Sequence, residues 1–189
     1  MSDMLHRILL VDDEPSIVNA LARELRQGVA EGMWPALKVE TFTSPDAALA
    51  RGCECNFSLF ISDYRMPGMN GVQLLATLRE QQPDAIRVIL SGQTDHDGLI
   101  GAINRAQITR FLAKPWNTRE LLVAVQQFLK LYEERIETRA LADLQRLAQG
   151  SISPQEAERR RLERMGPGLT PVDWSPDSTH VLDPRATRA

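Results

Sequence analysis

Charged side chains stand directly after three short apolar runs of this sequence. They are Asp12 and Asp13 after residues 7–11, Asp63 after residues 57–62, and Lys114 after residues 108–113. In a parallel sheet covered by helices, the carboxyl ends of the strands meet at one edge, where ligands bind. Carboxylates gathered there repel one another, and a hard divalent cation would stabilise them. The spacing therefore predicts a cation site with a lysine beside it.

A serine extends this group. Ser91 follows the apolar residues 88–90, so its hydroxyl is predicted to reach the same edge. A hydroxyl, a lysine and a divalent cation together would neutralise and orient the oxygens of a bound phosphoryl group. Each side chain alone is compatible with an ordinary loop or turn, whereas their joint position favours a phosphoryl-binding site.

Strand-like and helix-like segments alternate along the chain, which predicts an α/β fold with a parallel sheet. The predicted strands are rich in Ile, Val, Leu and Phe, as strands covered on both faces should be. They comprise residues 7–11, 38–42, 57–62, 87–91 and 108–113. The first four predicted helices comprise residues 15–27, 45–51, 71–82 and 95–105. Gly28 and Gly52 are taken as the stops of the first two helices.

The fifth predicted helix is unusually long, because no Gly or Pro occurs from residue 118 to residue 149. Asn117 begins a capping-box pattern and Gly150 is a natural stop. Covering a sheet needs only about 12 residues of helix, so the remainder has another role. Apolar residues recur at coiled-coil spacing, with a stutter after Ile136; they are Leu122, Val125, Leu129, Tyr132, Ile136, Ala140, Leu144 and Leu147. This seam predicts pairing with a second chain or packing on the chain's own tail.

The tail begins after Gly150. Residues 153–156 form a second capping-box pattern, which predicts a short charged helix ending at Gly166. A small hairpin is predicted over residues 172–182 and disorder over residues 183–189. The chain thus divides into a domain over residues 1–130, a helical extension over 131–150 and a tail over 151–189.

Composition narrows the classes of function. The 189 residues carry a formal net charge of −3, and this charge is spread evenly along the chain, so a nucleic-acid binder held by bulk charge is not expected. No apolar run approaches the roughly 20 residues of a membrane span, and the first residues lack a signal-peptide core. We therefore expect no membrane partner and a cytoplasmic location, with Cys53 and Cys55 as reduced thiols.

Four motifs resemble those of the receiver domain of two-component response regulators, the CheY-like superfamily. They are Val11-Asp12-Asp13-Glu14, Asp63-Tyr64-Arg65-Met66-Pro67-Gly68-Met69-Asn70-Gly71, Leu90-Ser91-Gly92 and Phe111-Leu112-Ala113-Lys114-Pro115-Trp116. They occur in the family's order and spacing, and the resemblance covers roughly residues 5–130. It implies a flavodoxin-like (βα)5 fold, a doubly wound parallel sheet with strand order 2-1-3-4-5. Here the fold would carry an extended fifth helix and a small helical and hairpin tail.

The resemblance also implies roles for the acidic residues. Asp63 is the expected phosphoacceptor, which attacks the phosphohistidine of a sensor histidine kinase or phosphotransfer protein and becomes an aspartyl-phosphate. Asp13, Asp63 and the carbonyl of Arg65 are the expected protein ligands of Mg²⁺, with Asp12 holding it through water. Mg²⁺ usually keeps several waters and binds few carboxylates, which fits this set.

The remaining site residues are expected to respond to the phosphoryl group. Lys114 would pair with Asp63 and then with a phosphoryl oxygen, while Ser91 would hydrogen-bond another such oxygen. Phe111 stands at the family's aromatic switch position; because it has no hydroxyl, its rotamer change would be read by packing alone. The chain would thus catalyse its own phosphoryl transfer and autodephosphorylation without being a classical enzyme.

The output is the part that the sequence determines least. Response regulators commonly carry a DNA-binding or enzymatic domain after the receiver, whereas residues 131–189 show no helix-turn-helix, metal-site or glycine-rich-loop pattern. We therefore expect phosphorylation-dependent contact with an unidentified protein, or homodimerisation. Two alternatives stay open: a transcriptional regulator with a nucleic-acid-binding tail, and a phosphate relay or sink without its own output.

Overall fold

The computed structural model describes residues 5–34, 37–92 and 106–165. Three predicted features lie outside these residues: the helix over 95–105, the hairpin over 172–182 and the chain end over 183–189. The described residues form one sheet flanked by helices.

The sheet has five parallel strands in the spatial order β2-β1-β3-β4-β5, as predicted. The strands are β1 His6–Val11, β2 Leu37–Phe42, β3 Leu59–Asp63, β4 Ile86–Ser91 and β5 Arg110–Ala113. Two of them begin two residues later than predicted, at Leu59 and Arg110. The predicted end of β3 shifts by one residue, so Asp63 is its last residue rather than the residue after it.

The described helices are α1 Pro15–Ala30, α2 Pro45–Glu54, α3 Gly71–Gln81, α4 Thr118–Ala148 and α5 Pro154–Met165. Polar side chains satisfy free N–H groups at several of their starts. The side chain of Asn117 accepts from the amide of Glu120 at 3.1 Å, and Ser153 accepts from the amide of Glu156 at 3.1 Å. Gly150, with φ of 69°, follows the end of α4. The predicted starts of the long helix and of the short tail helix are thus confirmed.

Two glycines that were predicted to end helices lie inside them instead. Gly28 is buried within α1, and a Cβ at this position would lie 2.5 Å from Cζ2 of Trp34. Gly52 is buried within α2, where a Cβ would collide with the side chain of Leu78 on α3. Both residues are glycine because a neighbouring side chain occupies the space, so the prediction that they end α1 and α2 is wrong.

The hydrophobic core lies on both faces of the sheet. Alternate residues of β1 point to opposite faces: Ile8 and Leu10 pack with α1 and α4, and Leu9 and Val11 pack with α2 and α3. All four are essentially inaccessible to solvent. This burial on both faces explains why the strands read as continuous apolar runs.

The long helix α4 packs its first half on this core. Leu122, Val125, Leu129 and Tyr132 are buried together with α1 and the sheet, and Ile136 is partly buried against them. This part of the seam is therefore covered by the receiver core, and neither predicted cover, a second chain or the tail, applies to these residues. Leu144 instead lies on the outside, 61% exposed.

Polar contacts fasten α4 to the edge of the sheet where the strands begin. Buried His6 lies 3.0 Å through Nδ1 from Oγ of Ser58 and 3.2 Å through Nε2 from Oε1 of Glu133. Further along α4, Arg139 Nη1 donates to Oδ2 of Asp84 at 2.6 Å. These contacts fix the direction in which the helix leaves the sheet.

We expect Gly28→Ala to destabilise the protein although alanine favours helix. Overpacking a filled site costs about 1–3 kcal/mol, whereas the gain in helix propensity is about 1 kcal/mol. Urea denaturation should therefore show a net loss, while Asn19→Ala on the exposed face of α1 should stay within about 0.5 kcal/mol of wild type. A more stable Gly28→Ala variant would mean that Trp34 moves aside at no cost.

Candidate functional site

The sheet order brings the predicted site residues to one edge. Asp12 follows β1, Asp63 ends β3, Ser91 ends β4, and Lys114 follows β5. The register pairs Asp63 with Leu90 and Ser91 with Ala113, so the three ends are level with one another. The backbone continues this alignment beyond the strands, because the amide of Lys114 donates to the carbonyl of Ser91 at 2.8 Å.

Lys114 is shared by two carboxylates. Its Nζ lies 2.5 Å from Oδ2 of Asp12 and 2.5 Å from Oδ1 of Asp63. The side chains of Asp12 and Asp63 are 1% and 10% exposed, and that of Lys114 is 21% exposed. The sequence predicted the contact with Asp63; the contact with Asp12 is an addition that the structure reveals.

Backbone amides hold the two carboxylates in place. The amide of Arg65 donates to Oδ2 of Asp63 at 2.7 Å, and the amide of Glu14 donates to Oδ1 of Asp12 at 3.0 Å. At Gly71, the first residue of α3, a Cβ would collide with the backbone oxygen of Asp63. The loop that follows β3 can therefore close over Asp63 only with glycine at this position.

Burial sets the electrostatics of the site. Desolvation raises the pKa of Asp63, and the neighbouring charge of Asp12 raises it further, while Lys114 opposes both effects. Burial lowers the pKa of Lys114, but its hydrogen bonds to Asp12 and Asp63 outweigh this and leave that pKa raised. One ammonium therefore serves two desolvated carboxylates, and the edge keeps an excess of negative charge.

Two of the residues expected to hold Mg²⁺, Asp13 and Arg65, line an open depression. Asp13, Tyr64, Arg65 and Asn70 are among its lining residues, and Asp13 is exposed. Among residues 5–34, 37–92 and 106–165, no three His, Cys, Asp or Glu side chains already converge as a metal site. The donors nevertheless fit a hard divalent cation, because they are carboxylate oxygens at an edge where the pKa of Asp63 is raised by burial.

The two residues expected to act in switching lie on the adjacent strands β4 and β5. Ser91 is buried at the end of β4, and Phe111 of β5 is half-buried against the core cluster on the side of α2 and α3. Beside Phe111, a groove runs between β5 and the start of α4; Trp116 and Val123 are among its lining residues. Val123 is 41% exposed.

Comparison with known proteins places the chain in a family. The family model for the response regulator receiver domain matches residues 8–126. The chain belongs to the response regulator receiver family. The signal receiver domain of an HD domain-containing protein from Pseudomonas fluorescens has a similar structure, with a TM-score of 0.62 and 31% identity; the match covers 69% of this chain and 99% of that one.

Two curated relatives are longer proteins. The hydrogenase transcriptional regulatory protein HoxA of Cupriavidus necator is 35% identical over 127 residues, which cover 67% of this chain and 25% of HoxA. The cyclic di-GMP phosphodiesterase response regulator RpfG of Xanthomonas campestris is 34% identical over 168 residues, which cover 87% of this chain and 43% of RpfG. This receiver chain thus spans less than half the length of either relative. In the part of the chain that the structure describes, no helix is both long and apolar enough to span a bilayer.

We expect Asp63→Asn to make the receiver more stable at neutral pH in metal-free buffer. Because the folded state raises the pKa of Asp63, it binds a proton there more readily than the unfolded chain does, and ionised Asp63 costs folding free energy. The difference in free energy of unfolding between Asp63→Asn and wild type should be absent below about pH 4, the ordinary pKa of Asp. It should grow as pH rises through the pKa that Asp63 has in the folded state.

Urea midpoints measured across pH in a chelating buffer test this sign, with Glu137→Gln on the exposed face of α4 as the control for loss of one negative charge. If Asp63→Asn were less stable than wild type at every pH, the ion pair with Lys114 would outweigh the cost of burying the carboxylate.

Proposed function

We propose that this receiver is a phosphorelay response regulator that accepts a phosphoryl group on Asp63. The donor would be the phosphohistidine of a sensor histidine kinase or of a phosphotransfer protein, and we place the chain in the cytoplasm with that partner. The observation that carries the proposal is the buried Asp63 carboxylate beside Lys114 and Asp12. An edge with this excess of negative charge would take up a cation readily, and that cation would offset the charge of an incoming phosphoryl group.

The transfer needs no oxidant and no further reactant. A carboxylate oxygen of Asp63 attacks phosphorus, an O–P bond forms as the P–N bond of phosphohistidine breaks, and the imidazole leaves with the electron pair and takes up a proton. Lys114, already within 2.5 Å of Asp63, would shift its ion pair from the carboxylate to a phosphoryl oxygen. Its positive charge then faces the charge that the transfer brings in.

Mg²⁺ is the cofactor we propose for this site, with Asp13, Asp63 and the Arg65 carbonyl as ligands and Asp12 bound through water. When bound, the ion would neutralise phosphoryl oxygens that a single lysine cannot neutralise alone. The rest of the arrangement belongs to the chain: the amide of Arg65 orients Asp63, and Gly71 lets the loop close over it.

The switch we propose runs from Ser91 to Phe111. The Ser91 hydroxyl would bind a phosphoryl oxygen, and the movement would change the packing of Phe111 on the neighbouring strand. Because Phe111 borders the groove between β5 and the start of α4, its movement changes the surface offered there. We propose this surface as the place where a downstream protein reads phosphorylation.

Control of transcription is a second candidate output, favoured by the similarity to HoxA, a hydrogenase transcriptional regulatory protein. It predicts binding to nucleic acid that persists at near-physiological salt. A phosphate relay or sink is a third, and it predicts rapid loss of phosphate with no change in partner binding. Homodimerisation stays a prediction, now confined to surfaces other than the part of α4 buried in the core.

We expect a small phosphoryl donor such as acetyl phosphate, with Mg²⁺, to add one phosphoryl group to the chain, removable by hydroxylamine as an acyl phosphate is. Mg²⁺ at ten times its Kd should raise the free energy of unfolding by about 1.4 kcal/mol. Mass spectrometry and urea denaturation measure the two effects. Asp63→Asn should abolish the labelling; labelling that survives in this variant would place the acceptor elsewhere.

We also expect beryllofluoride, a phosphoryl mimic, to alter amide hydrogen exchange around Phe111 and to change the mass or the partner binding of the chain. Light-scattering chromatography with Mg²⁺ measures the mass, and Asp63→Asn is the control. An equal response of wild type and Asp63→Asn would mean that the change at the groove does not depend on the phosphoryl site. No response in wild type, with labelling intact, would favour the relay or sink.

A further inference from the structure

The apolar seam of α4 continues beyond the sheet, and there α5 lies against it. Positions 140, 143 and 147 share one face of a helix, the face that buries Tyr132 and Ile136 nearer the sheet. Ala140 and Leu147 are half-buried, whereas Asp143 between them is only 5% exposed. A carboxylate thus sits buried in a position where a coiled-coil seam carries an apolar residue.

Asp143 has one cationic neighbour on its own helix, Arg146 Nη1 at 3.6 Å from Oδ1, and another on α5. Arg160 Nη1 donates to Oδ1 of Asp143 at 3.2 Å, and Arg160 Nε donates to Oε1 of Glu156 at 2.9 Å. A second tie joins the helix to the receiver, since Nδ2 of Asn56 donates to the carbonyl of Glu163 at 3.1 Å. The docking of α5 on the rest of the chain therefore includes one ion pair to α4 and one hydrogen bond to the receiver.

Apolar packing contributes little to this contact. Seven of the 12 residues of α5 are charged, and its apolar side chains Ala157 and Leu162 are half-buried rather than buried. A half-open cleft of about 480 Å³ lies between α5, the far half of α4 and the loop after α3; Phe57, Asp84 and Ile136 are among its lining residues. Side chains do not fill this space as they fill a protein interior, so the contact depends largely on its polar ties, of which the Asp143–Arg160 ion pair is the charged one.

We infer that the Asp143–Arg160 ion pair reserves the far half of the seam for the chain's own α5 and denies it to a second copy of the chain. Two α4 helices pairing in parallel along this seam would bring two buried Asp143 carboxylates together. Each would have lost Arg160 and kept only Arg146, a 55% exposed side chain of its own helix at 3.6 Å, which is unfavourable. A single buried polar residue on a helical seam commonly selects the partner in this way. The inference does not rest on the chemistry of Asp63, so either can fail alone.

Charge reversal on α5 tests the ion pair. Arg160→Asp should release α5, whereas Arg161→Asp should not, because Arg161 pairs with Glu158 inside the same helix and is 64% exposed. An isolated helix of this length is marginal in water, so its release should speed amide exchange over residues 154–163 by about tenfold or more. Adding Asp143→Arg to Arg160→Asp should bring exchange back towards the wild-type rate.

Removing the buried charge of Asp143 tests whether it keeps a second copy of the chain off the seam. Asp143→Leu completes an apolar seam, so light-scattering chromatography of the full chain should show a concentration-dependent doubling of mass. Thr138→Leu, on an exposed part of α4, adds the same side chain away from the seam and should keep the wild-type mass. Equal exchange in the two charge-reversal variants, or an Asp143→Leu mass no larger than that of Thr138→Leu, would overturn the inference.

Discussion

The sharing of one ammonium group by two buried carboxylates is the interaction on which this receiver's functional edge depends. Lys114 reaches Asp12 and Asp63 from a strand that is paired with neither of theirs, so its ion pairs draw together three separate parts of the sheet. The arrangement leaves negative charge in excess, and burial of Asp63 makes that excess costly. A site with balanced charges would gain little from a cation, whereas an excess of carboxylate charge is relieved by one. On the proposed function, that cation also offsets the charge of the phosphoryl group, and Lys114 exchanges a carboxylate partner for a phosphoryl oxygen.

At the opposite edge of the sheet, the polar side chains have partners within the chain. There His6 has partners on both ring nitrogens, Ser58 and Glu133, and Arg139 is paired with Asp84. These contacts are satisfied within the chain, so they fix α4 rather than respond to a ligand. The apolar core between the two edges is closely packed on both faces of the sheet, and it can pass on a displacement but not absorb one.

Sequence reasoning succeeded where a local pattern has one structural meaning. Carboxylates at the ends of apolar runs meet because parallel strands end at one edge, and the family motifs supplied the strand order. It failed at Gly28 and Gly52, because a glycine that ends a helix and a glycine that makes room for Trp34 or Leu78 look alike in one sequence. It also offered only a second chain or the chain's own tail as the cover of the α4 seam, whereas the first half of the seam packs on the receiver core, since periodicity does not say what covers an apolar face. Arg87, buried in β4 with only backbone carbonyls as its hydrogen-bond acceptors among the described contacts, was equally invisible to a pattern of apolar runs.

The long helix limits how this receiver can pass on its state. At 1.5 Å per residue, the 31 residues of α4 span about 46 Å, and no Gly or Pro interrupts them. Sharp kinks in helices need such residues, an inserted side chain or water, or a π-bulge. Its first half is held by the apolar core and its far half by the ion pair of Asp143 with Arg160 of α5, so a shift at β5 would reach the extension as movement of the whole helix. On the proposed function, an output partner would therefore read either the surface beside Phe111 directly or the position of the extension as a rigid body; local melting of the helix is the response that this architecture disfavours.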